Sequence, residues 1–222
     1  MPMYKYLITF EKFGYIKYTS HLDMVRLFKR NFRRNNIKIA HSQGFNPHPK
    51  MSITLPLSLG YSASNEFLEI ETLENYMPED IMSKMKDTLP EGIKVIAIDR
   101  YLDSKTVASR VYAADYTITI PVDSDDSYDY AAAGEAFMAQ DEILAEKRQK
   151  KTGNMVEINI RPLIKTLAAE KVDNNIIMTT NIAQGSNETL SPELIIAAFS
   201  TFTGKNFERS EIAVSRDKII YK

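Results

Sequence analysis

A chain of 222 residues is long enough for one large domain or for two of about 100 residues each. With 44% hydrophobic and 26% charged residues and a net charge of −1, it has the composition of an ordinary soluble globular protein. It has no cysteine, which excludes disulfides, thiolate metal sites and a cysteine-held iron–sulfur cluster. No apolar run approaches the roughly 18 residues needed to span a membrane, so a cytoplasmic protein without membrane contact is expected.

In chain order, the N-terminus MPMYKYLITF lacks the layout of a signal peptide, and Tyr4–Phe10 alternates as a first strand that ends near Gly14. Ser20 opens a capping box with Asp23, so a helix is expected over about residues 20–35. Ile37–Ala40, Met51–Leu59, Glu66–Thr72 and Ile93–Ile98 read as strands. Pro78 stands at a helix N1 position, and Pro90 and Gly92 close that helix. The order strand–helix–strand–strand–helix–strand is the split βαβ, or ferredoxin-like, plan.

Polar residues 99–109 read as a link, and the second half repeats the plan. Ala114–Pro121 reads as a strand, DSDDSYDY as an acidic loop, and Ala131–Lys150 as a helix whose end, with Arg148, Lys150 and Lys151, is either solvated or a basic rim for RNA. Met155–Ile164 and Ile176–Thr180 read as a pair of strands. Pro192–Phe202 reads as a helix capped by Ser191, and Ile212–Tyr221 as a last strand. The expected fold class is therefore α+β: two tandem ferredoxin-like halves, 1–105 and 106–222, with antiparallel sheets and helices on one face.

Charge is distributed unevenly. Residues 1–50 hold ten Lys and Arg against Glu11 and Asp23, a net charge of +8, while the two later segments 51–105 and 106–222 are acidic. Advancing about 100° per residue, Met24, Val25, Phe28 and Phe32 fall on one side of the first helix. Arg26, Lys29, Arg30 and Arg33 fall on the other, with Arg34 at its edge. Few acidic residues stand four positions away to neutralise them, so this face is expected to bind anions, and a polyanion backbone such as RNA is the natural partner. After the helix, QGFNPHPK packs two prolines and a glycine into a stiff loop that aims Asn46, His48 and Lys50.

SHLDMVRLFKRNFRRNN followed by HSQGFNPHPKMSITLPLSLGYSASNEFLEI closely resembles the radical-SAM-linked domain family, a bacterial family of unknown function. The resemblance is dense through residues 18–71 and thinner beyond. It picks out Ser20, His21, Asp23, Arg26, Arg30, Arg33, Arg34, Ser42, Asn46, His48 and Glu66, among others. It implies a domain fused to, or encoded beside, a cobalamin-type radical-SAM protein, which is then the expected partner. Lacking cysteines, this chain is the companion and not the radical-SAM catalyst.

Three activities stay open. The first is an accessory module without cofactor that holds an anionic substrate, RNA above all, through Ser20, Arg26, Arg30, Arg33, Arg34, Ser42, Asn46, His48 and Lys50. The second is a metal-independent RNA-processing enzyme with His21 and His48 as acid and base, since imidazoles titrate near neutrality. The third is a scaffold that docks the partner enzyme. His21, His41, His48 and Asp23 lack any spacing typical of a metal site. Glu66, Glu69 and Glu71 read as solvated strand positions, and Tyr15, Tyr18 and Phe45 as either base-stacking or core residues.

Overall fold

The computed structural model describes residues 3–149 and 152–222. The chain divides into two compact units, Met1–Arg110 and Val111–Lys222. The fold is mixed α+β, with antiparallel strand pairing and four α-helices among the described residues.

In the first unit, β1 (Tyr4–Lys12), α1 (His21–Arg34), β2 (Met51–Ile53), β3 (Ser62–Thr72), α2 (Pro78–Lys86) and β4 (Ile93–Arg100) follow in order. β1 pairs antiparallel with both β4 and β3, and β2 pairs antiparallel with β3, giving the order β4-β1-β3-β2. Strand alternation sets the buried face: Tyr6, Ile8 and Phe10 of β1 and Leu68 and Ile70 of β3 share one apolar cluster with Phe28 and Phe32 of α1 and Ile81 and Met85 of α2. Both helices therefore cover the same side of the sheet.

α1 begins as its capping box requires. The Ser20 side chain accepts from the Asp23 N–H at 3.2 Å, and its hydroxyl donates to the Asp23 carboxylate at 2.8 Å. The turn leading into α1 is anchored by Gly92, where φ is +91° and an added Cβ would lie 2.5 Å from the Phe13 carbonyl oxygen. This close approach, with the Phe13 N–H donating to the Gly92 carbonyl at 2.9 Å, ties the start of β4 to the chain that positions the helix.

The second unit comprises β5 (Val111–Pro121), α3 (Tyr130–Met138), β6 (Leu144–Arg148), β7 (Met155–Asn159), β8 (Ile164–Val172), β9 (Asn175–Ala183), α4 (Pro192–Thr203) and β10 (Ala213–Tyr221). Its main sheet runs β10-β5-β9-β8, antiparallel throughout. α3 and α4 meet through an edge-to-face contact of Phe137 and Phe199, with ring centres 5.4 Å apart.

Several expectations from sequence need correction. The segment Ile37–Ala40 makes a single bridge, Ile39 to Thr72, because β2 takes the adjacent positions Leu68 to Ile70 on β3. The strand expected over Met51–Leu59 stops at Ile53, shortly before Pro56, which cannot donate to a ladder. The helix expected over Ala131–Lys150 ends at Met138, and Leu144–Arg148 returns as a strand. Met155–Asn159 pairs with that strand in a separate two-stranded ribbon, and the neighbour of β9 is β8. The Asn159 side chain organises this corner, accepting the Ile143 and Arg161 N–H groups at 3.1 and 3.0 Å. Lys150 and Lys151 of the expected helix end lie outside the described residues. Finally, Glu66 is buried, since it shares strand parity with Leu68 and Ile70 of the core, whereas Glu69 and Glu71 lie on the opposite face.

The acidic loop of the second half is built around Asp126. Its carboxylate accepts the Tyr128 N–H at 2.9 Å, the Tyr130 hydroxyl at 2.8 Å and the Lys205 ammonium at 3.1 Å. These donors, the Tyr128 N–H foremost, lower its pKa from 3.8 to about 2. A depressed carboxyl contributes stability above its ordinary pKa and loses it as pH falls through the folded value, here between about pH 4 and pH 2. Asp126→Asn is expected to be the less stable protein at pH 7 and to converge on the wild type near pH 2 in melting curves taken across pH. A constant gap between the two would contradict this.

Candidate nucleic-acid interface

α1 presents its cations along a band that two grooves divide. Arg26, Arg30 and Arg34, each four residues from the next, line a groove of about 590 Å³ between α1 and the end of α2. Thr88 closes the base of that groove, its hydroxyl accepting the side-chain amides of Asn31 at 2.8 Å and Asn35 at 2.7 Å. Lys29 and Arg33, the other i, i+4 pair, line a second groove of about 390 Å³. All five side chains are exposed. Among the described residues only Arg26 has an acidic partner within ion-pair distance, Asp23 at 2.8 Å. Asp23, held by the Ser20 hydroxyl and then by Arg26, has its pKa lowered. Asp87 is the other carboxylate lining the larger groove.

The remaining expected site residues are placed differently. Ser20 is committed to the helix cap. Ser42 closes the proline loop: its side chain accepts the His48 N–H at 2.9 Å, and its N–H donates to the His48 carbonyl at 2.8 Å. Asn46 and His48 are exposed on that loop, and Gly44 at φ +124° lets it turn. Lys50 is half-buried in an ion pair with Glu71 at 2.7 Å, facing a separate groove that Glu69 and Tyr101 also line. Burial raises the Glu69 pKa, although the Val107 N–H donates to its carboxylate at 2.9 Å.

His21 and His48 are carried by different elements. His21, in the first turn of α1, lines a small pocket with Lys12 and Glu66, whose exposures are 3% and 2%. The Lys12 ammonium donates to the Thr19 carbonyl at 3.0 Å. Sequence patterns give no role to Lys12 or Lys38, whereas the 100° step already places Lys29 on the cationic face with Arg33, four residues on. Lys12 has no comparable local signal. Tyr15, Tyr18 and Phe45 are all exposed, Phe45 completely. Among the described residues no group of three or more His, Cys, Asp or Glu side chains could hold a metal ion, and no helix is long and apolar enough to cross a membrane.

No curated protein matches the chain. Among solved structures, it is similar to an unknown protein from Galdieria sulphuraria, with 10% identity, a TM-score of 0.29, and coverage of 100% of this chain and 99% of that one. It is also similar to the acetolactate synthase small subunit from Thermotoga maritima, with 12% identity, a TM-score of 0.28, and coverage of 100% and 98%. Residues 5–192 match a family described as an uncharacterized protein conserved in bacteria (DUF2344), and the chain belongs to that family.

Proposed function

We propose that this chain is a cytoplasmic accessory module, without catalytic activity or cofactor of its own, that binds an anionic substrate and most naturally single-stranded RNA. The observation that carries the reading is the band of cations on α1, five exposed and four without an ion-pair partner among the described residues. Phosphates supply the missing countercharge, and binding them releases condensed counterions. Arg26, Arg30, Arg33 and Arg34 hold phosphates, while Asn46 and His48, on a loop stiffened by Pro47 and Pro49, meet a base, sugar or terminal phosphate. The exposed Tyr15 and Tyr18, just before α1, are available for stacking. The partner that receives the substrate is a radical-SAM protein, as the resemblance of residues 18–71 implies.

Each unit is read as a ferredoxin-like half. What supports this is the strand orders β4-β1-β3-β2 and β10-β5-β9-β8, each with a helix after its first and third strand in chain order. β6 and β7 are then an inserted ribbon.

A second reading, a docking surface for the partner enzyme, is favoured by one observation: Phe45, fully exposed at the tip of a pinned loop, is an apolar anchor without cover. Incubation of the purified chain with labelled single-stranded RNA separates the readings. RNA that is retained and recovered intact is the expected result. Cleavage that His48→Ala abolishes while the fold is kept would replace the module with an enzyme, and absence of retention would favour docking.

A further inference from the structure

The second groove, on the Lys29 side of α1, has a chemistry that the first lacks. Its apolar lining comes from Phe32, Ile37, Ile39, Met51 and Leu73, and Lys29, Arg33 and His41 line it beside them. Among the described residues no carboxylate lines it. Lys38, which also borders it, is held by Glu74 at 2.6 Å, so Lys29 and Arg33 are the cations left to a ligand. A cavity of about 390 Å³ is within the range of small-ligand sites. An apolar groove lined also by cations without ion-pair partners among the described residues fits an aromatic ring attached to an anion. The planar guanidinium of Arg33 can lie against such a ring. His41 Nδ1 lies 3.1 Å from the Ile39 carbonyl oxygen, which places the proton of the neutral ring on Nδ1 and leaves Nε2 as an acceptor for an amino group.

We infer that this groove takes the base of a nucleotide whose phosphates lie on Lys29 and Arg33, so that the chain selects single-stranded over duplex RNA. In a duplex the bases are stacked inside and cannot enter. The inference rests on the reading of α1 as a phosphate-binding surface, and adds the base as the group recognised.

The test uses two labelled oligomers of equal length and charge, one a single-stranded RNA and one an abasic strand, titrated by fluorescence anisotropy. The base-bearing oligomer is expected to bind roughly tenfold more tightly, as one stacked base contributes. Leu73→Asn, an uncharged change at a partly exposed position, should lower the affinity of the base-bearing oligomer severalfold and leave the abasic strand unaffected, and an unchanged affinity would overturn the base site. Equal, salt-sensitive binding of both oligomers to the wild type would overturn the base site and leave the phosphate surface standing. Absence of binding by either would overturn both. Saturation of the groove by an acidic, leucine-bearing peptide, with no preference between the oligomers, would assign it to a protein segment instead.

Discussion

Phe28→Ala is expected to destabilise the first unit by about 3–5 kcal/mol, a large part of the stability of a domain this size. Phe28 is fully buried. Its ring meets Phe10 of β1 edge-to-face with centres 5.0 Å apart and stacks on Phe32 at 6.4 Å, so it ties α1 to the sheet. Removing it leaves a cavity bounded by elements that cannot all close on it, since β1 is held by β3 and β4 on both sides. Phe28→Leu, which fills most of the space, should cost much less. Urea unfolding followed through the exchange of β1 and β3 amides reads the difference. A shift in the alanine variant no larger than that of a surface substitution would mean that α1 is not anchored by this contact. Because α1 carries the cations, the anchor also fixes the surface proposed to meet RNA.

The double variant Arg30→Ala and Arg33→Ala is expected to bind single-stranded RNA roughly an order of magnitude more weakly at moderate salt. Each phosphate neutralised contributes about 0.7 to the slope of log K against log salt for a single strand, so removing two cations should flatten the slope by about 1.4. The two residues sit in different grooves, Arg30 beside Arg26 and Arg34, and Arg33 beside Lys29. The variant therefore thins the surface on both sides of the helix while touching no buried group. Lys86→Ala with Lys94→Ala removes the same charge elsewhere in the first unit. It should leave the slope nearly unchanged, which distinguishes local binding from net charge.

The helices with strong caps were legible from sequence because a cap is local, a hydrogen bond between residues two or three positions apart. Ser20 and Ser191 each sit where a hydroxyl can accept an N–H two or three residues on, and both do. Strands with regular alternation, such as β1, β5 and β10, were legible for the same reason. The ribbon of β6 and β7 was not, because the apolar residues of Ala131–Ala145 fit a helical period whether the chain continues or turns back. The corner is decided instead by Asn159, sixteen residues from its partner Ile143. At the site, the arginine face was readable from a 100° step, but not its division into two grooves, which the elements beside the helix create. Lys50 shows the limit most plainly. Its loop suggested a free cation, yet Glu71, twenty-one residues on, neutralises it. Pairings at that separation follow from strand order, which no local pattern contains.

Binding of a phosphate backbone by α1 is measured as the affinity of the purified chain and of the Arg30→Ala, Arg33→Ala variant for single-stranded RNA across a salt series. Salt-sensitive binding by the wild type and a slope flatter by about 1.4 in the variant are expected. Identical slopes, or no binding by the wild type at low salt, would contradict phosphate binding by α1.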